Sequence, residues 1–106
     1  MLESTLVSQI VTIYPMQKPI ITIRYCVLCQ WMLRASWLAQ ELLSTFSDDL
    51  QQVALAPASK GVFEIYYNDT LIWCRKADDG FPEAKVLKRR VRDLLDPERD
   101  LGHVDK

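Results

Sequence analysis

Across two cysteines the spacing of apolar side chains changes from a strand's period to a helix's. In "IITIRY" (20–25), Ile21, Ile23 and Tyr25 alternate as on a strand buried along one face, and Pro19 stands in front of them. Farther on, Met32, Ala35, Ala39, Leu42, Leu43 and Phe46 share one side of a helix at 100° per residue. Gln30, Arg34, Glu41, Thr45 and Asp48 fall opposite, and Trp37 lands among them. The expectation for Trp37 is cover from another segment, such as the N-terminal one. The junction itself is "RYCVLCQW" (24–31), with Cys26 and Cys29 three positions apart.

The rest of the chain supplies the partners for that unit. "QQVALA" (51–56) reads as a strand. "GVFEIYYNDTLIWCRK" (61–76) reads as a hairpin around Asn68-Asp69, residues that tolerate the left-handed turn conformation. In "DDGFPEAKVLKRRVRDLL" (78–95), Gly80 breaks the strand, Pro82 suits a first helical position, and Glu83 sits by the positive helix end. Ala84, Leu87, Val91, Leu94 and Leu95 form its apolar stripe, and Asp96-Pro97 stops it. The order is β-α-β-β-β-α. A right-handed parallel crossover followed by an antiparallel hairpin predicts a mixed four-stranded sheet with helices, in the α+β or α/β class. Residues 19–96 are expected as one domain. Residues 1–18 form an N-terminal extension, with Met16 an alternative start, and 97–106 a polar C-terminal tail.

Composition narrows the function classes. A chain of 106 residues with 49% hydrophobic and 25% charged residues suits a single globular domain. A formal charge of -1 gives no global field for nucleic acid or anionic lipid. No apolar run approaches the roughly 20 residues that span a bilayer. The first seventeen residues lack the lysine or arginine of a secretory signal. The expected location is cytoplasmic, with neither nucleic acid nor membrane as partner. "KVLKRRVR" (85–92) offers no aromatic platform for bases and reads as a solvated helix face. His103, alone in a polar tail, reads as ordinary surface.

Three cysteines make an odd number, which argues against a secreted disulfide framework. Cys74 reads as a core thiol. With Cys26 just before the helix and Cys29 in its first turn, both sulfurs would lie near N–H groups that lack helical partners. Such a position favours the thiolate, the attacking species. The spacing lets one sulfur attack a disulfide and the other resolve the mixed intermediate. Three alternatives stay open. Both cysteines are core thiols without chemistry. Or the pair is half of a zinc site, although no second pair is present. Or the domain is a binding module that presents Val27, Leu28, Trp31 and Trp37 to a partner.

Taken together, "IRYCVLCQW", "GVFEIYYNDTLIWCRK" and "DGFPEAKVLKRRVRDLL" resemble the selenoprotein W/T/H-like family, also called the Rdx family, and most of all its all-cysteine prokaryotic branch. The resemblance spans residues 18–103. It implies a thioredoxin-like fold and a thiol-based redox role, with Cys26 and Cys29 as the redox-active residues and no cofactor or metal. Implied partners are protein or low-molecular-weight thiols, glutathione or thioredoxin-system thiols among them. The selenocysteine of selenium-containing relatives falls on Cys29. Exposure of a loop position favours Cys26 as the attacking sulfur, whereas the selenium precedent favours Cys29, so the order stays open. Val27-Leu28 replaces the Gly-Pro of thioredoxins, and Pro57 lies in about the segment of their cis-proline.

Overall fold

The computed structural model describes residues 17–102. His103, residues 1–16 of the extension and the last residues of the tail lie outside this range. The elements are β1 (Ile20–Cys26), α1 (Met32–Phe46), β2 (Gln52–Ala58), β3 (Phe63–Tyr67), β4 (Thr70–Cys74) and α2 (Ala84–Leu95). The sheet runs β2-β1-β3-β4, with β1 parallel to β2 and antiparallel to β3, and β3 antiparallel to β4. This is the expected βαβββα order and mixed sheet. Asn68, with φ 52°, turns the hairpin. Among the described residues no helix is long and apolar enough to cross a membrane.

The register explains the core. Ile23 stands opposite Ile65, and Tyr25 opposite Phe63, so their side chains share a face. Ile21, Ile23, Phe63 and Ile65 are fully buried there, together with Ala35, Leu38, Leu42 and Phe46 of α1 and Leu87 and Val91 of α2. The buried stripe of α1 is rotated from the expected one. Leu38 is inside, Met32 and Leu43 are exposed, and Trp37 is exposed as well. In α2, Glu83 is the N-cap, so Pro82 precedes the helix instead of opening it, and Leu94 is exposed.

The basic run of α2 is not a plain solvated face. Lys88 is buried and its Nζ donates to Glu41 Oε1 across the two helices at 3.0 Å. The Arg90 guanidinium lies 4.4 Å from the Trp73 ring centre and donates to the Ile72 carbonyl (2.6 Å) and to Asp78 (3.1 Å). Sequence periodicity could not show this, because the partners come from other elements. Beyond Asp96 the chain packs back. Arg99 makes a two-pronged ion pair with Asp49 (2.7 and 3.1 Å), and Leu101 rests against the core.

Asp78 fastens the β4–α2 connection. It accepts from the Cys74 backbone N–H at 2.9 Å, and this bond, followed by the Arg90 bond, holds its carboxyl below the usual aspartate value of 3.8. A depressed folded-state pKa contributes stability above the unfolded value, and that stability is lost as pH falls through the folded one. Asp78→Asn is therefore expected to cost about 1 kcal/mol at neutral pH, at the low end for charge-assisted bonds because solvent screens the pair. Urea unfolding of the variant should also show a smaller loss of stability than wild type as pH falls below 3.8. An unchanged acid limb would show that Asp78 does not supply it.

Candidate functional site

β1 runs one residue past Tyr25. The Cys26 N–H donates to the Val62 carbonyl at 2.8 Å, Cys26 is in register with Ala58, and the Val27 N–H donates to the Ala58 carbonyl at 3.1 Å. Cys26 thus ends an interior strand and is only 1% exposed. The chain then closes tightly on itself. The Gln30 N–H donates to the Val27 carbonyl (2.9 Å), the Trp31 N–H to the Cys26 carbonyl (3.4 Å), and Gln30 takes φ 61°. These two bonds and a left-handed fifth residue form the same closure that ends many helices, with glutamine where glycine is usual.

Cys29 is the fourth residue of that closure and is exposed. Its Cα lies 5.3 Å from that of Cys26, and the two sulfurs stand at disulfide-bonding distance. The Cys29 N–H points back at Cys26 Sγ, 3.3 Å away. Two expectations change. Cys26 is the sheltered sulfur because the strand continues through it, and Cys29 is the accessible one. Helix α1 begins only at Met32, so Cys29 lies outside its first turn. The N–H facing a sulfur comes from the cysteine turn itself, not from the helix end.

Behind the turn three rings meet edge to face. Trp31 lies 6.3 Å from Phe63 and 4.9 Å from Phe81, and Phe63 lies 5.0 Å from Phe81. The Arg34 guanidinium sits 4.1 Å from the Phe81 centre and that of Arg75 5.0 Å from the Trp31 centre. In front of the turn Val27, Leu28, Met32 and Leu33 are exposed, Leu28 to 89%. A groove of about 330 Å³ lined by Tyr25, Val27, Gln30, Met32 and Leu33 runs beside them.

Phe63, Phe81 and Arg75 were not singled out by sequence reasoning. The signal was there, since each of the three motif pieces contributes one ring. Cys74, expected in the core, is partly exposed at the end of β4 and makes no disulfide. Pro57 stands opposite Tyr25 and is exposed, and no peptide bond among the described residues is cis. Among the described residues no three His, Cys, Asp or Glu side chains stand together as a metal-binding group.

Comparison with known proteins agrees with this architecture. The model of the Rdx family matches residues 20–93. A crystal structure of a Bordetella parapertussis protein is similar at 62% identity and a TM-score of 0.74, over 74% of this chain and 100% of that one. The crystal structure of a selenoprotein W-related protein from Vibrio cholerae is similar at 59% identity and a TM-score of 0.74, over 76% of this chain and 100% of that one. No curated protein sequence matches the chain. The α+β sheet and its two helices are those of these thioredoxin-like neighbours.

Proposed function

This chain belongs to the Rdx family, and on that premise we propose that it is a thiol–disulfide redox protein cycling Cys26 and Cys29 between dithiol and disulfide. The observation that carries the proposal is the asymmetry of the pair, an exposed sulfur joined to a buried one within a single turn. In the reducing direction the Cys29 thiolate attacks one sulfur of a substrate disulfide. A mixed disulfide forms and the first substrate thiolate leaves. The Cys26 thiolate then attacks Cys29 Sγ, closes the internal disulfide and releases the second substrate thiolate. Two electrons pass to the substrate, and the two leaving thiolates take up the protons that the cysteines gave up. The Cys29 N–H is already directed at the resolving sulfur and would stabilise its anion. Protein or low-molecular-weight thiols, glutathione among them, would return the pair to the dithiol.

The test is an equilibrium titration against the glutathione couple. The pair is expected to convert fully between its two states with a midpoint of roughly -300 to -200 mV. A pair that stays oxidised or stays reduced throughout removes the proposal. The exposed Val27, Leu28, Met32 and Leu33 favour a second reading, a protein-binding module whose cysteines do not turn over. That reading is what such a result would leave standing.

A further inference from the structure

We infer that Arg75 is a positioning residue for the cysteine pair, its guanidinium clasping together the two segments that hold the backbone of Cys26. The inference rests on the redox reading above. Arg75 follows β4, and its backbone N–H is fixed to the Phe63 carbonyl at 2.9 Å. From there Nε and Nη2 both donate to the Gly61 carbonyl, at 3.2 and 3.1 Å. The Cζ of the same guanidinium lies over the Trp31 ring, 5.0 Å from its centre. Gly61 is suited to this embrace twice over. Its φ is +73°, and a Cβ there would stand 3.3 Å from Arg75 Nη2.

The two clasped segments are those that hydrogen-bond to Cys26. Val62, the residue after Gly61, receives the Cys26 N–H, and Trp31 donates to the Cys26 carbonyl. Arg24, Arg90 and Arg99 each pair with a carboxylate. Arg75 has no carboxylate partner among the described residues, so its orientation serves a carbonyl and a ring instead of neutralising an acid. A guanidinium edge can give two N–H donors to one carbonyl while its face is left free for a ring; an ammonium has no such planar fork and does not reproduce the paired donation. Loosening either segment lets the sulfurs drift relative to each other. The effective concentration of one thiol at the other then falls, and the disulfide becomes easier to reduce.

The experiment measures the dithiol–disulfide equilibrium of the full chain against dithiothreitol. In the forward direction the two thiols give two electrons and two protons to oxidised dithiothreitol. Wild type is compared with Arg75→Met, which keeps the aliphatic stem, and with Arg75→Lys, which keeps the charge; circular dichroism checks the fold of each. Arg75→Met is expected to lower the equilibrium constant for disulfide formation about tenfold, a shift of about 30 mV to less negative potential. Arg75→Lys should shift in the same direction, because charge without the fork does not restore the clasp. A residue serving only stability would lower the unfolding midpoint and leave the potential where it was. A folded Arg75→Met with the wild-type potential overturns the inference, as does an Arg75→Lys that matches wild type. The lysine variant alone decides if the methionine variant does not fold. A wild-type pair that never titrates removes the redox reading and the clasp with it, whereas a titrating wild type beside unshifted variants removes the clasp alone.

Discussion

Cys26→Ser, exposed to oxidised glutathione, is expected to hold a stable mixed disulfide on Cys29, while Cys29→Ser forms none at Cys26. The reason is access. An incoming disulfide must present one sulfur to the attacking thiolate, and Cys26 is buried at the end of β1 under its own turn. Cys29 faces solvent in the middle of that turn. With serine at position 26 the first step proceeds, and nothing within reach can displace the glutathionyl group. With serine at position 29 the first step is lost, a penalty on the order of 10³-fold or more, as when an attacking side chain is removed from an enzyme. Serine fits the buried site, and its Oγ can accept the Cys29 N–H as the sulfur does. Intact-mass measurement after incubation reads the outcome directly. A glutathionyl group found on Cys26 in the Cys29→Ser protein would reverse the order of attack. Cys74 is partly exposed, so each variant should also carry Cys74→Ser.

The largest expected loss of stability is at Phe63. The ring is 1% exposed and is shared by Trp31 and Phe81 in edge-to-face contact. Phe63→Ala removes the ring's transfer free energy and opens a cavity, together worth about 3–5 kcal/mol. Lost ring pairing adds about 0.5–1.5 kcal/mol. Against a total of about 5–15 kcal/mol for a domain, this brings the protein close to unfolding at room temperature. Denaturation in urea should show a sharply lowered midpoint. Phe63→Leu, which refills much of the space, should keep most of the stability. A loss below about 1 kcal/mol for the alanine variant, the ordinary size of a point mutation's effect, would mean that the three rings do not support the turn.

What could be read from the chain, and what could not, divides along local and non-local lines. The alternation in Ile21, Ile23 and Tyr25 and the Asn68-Asp69 turn are local signals, and the structure has the strand and hairpin they predict. Of the expected α1 stripe, Ala35, Ala39, Leu42 and Phe46 are buried, but Met32 and Leu43 at its edge are exposed. Spacing alone does not show how far the sheet covers the helix. Starting at Met32, it leaves Met32 and Leu33 beside the redox turn and puts Leu38 in the core. Cys26 is held by the carbonyl of Val62, far along the chain, a contact that no periodicity reports. The same holds for Lys88 with Glu41 and Arg90 with Trp73. Of the site itself the cysteine pair was legible. Its geometry and its aromatic backing came only with the tertiary structure.

The tight closure at residues 26–31 also determines how much a redox cycle disturbs the molecule. Two main-chain hydrogen bonds hold the turn shut, and neither involves a sulfur atom. The cross-link ties residues only three apart, so it restrains an unfolded chain by no more than about 2 kcal/mol in the chain-entropy model. Losing and regaining the bond therefore amounts to opening a latch on a door whose hinges stay fixed. In the proposed redox cycle the scaffold would keep its fold on each pass.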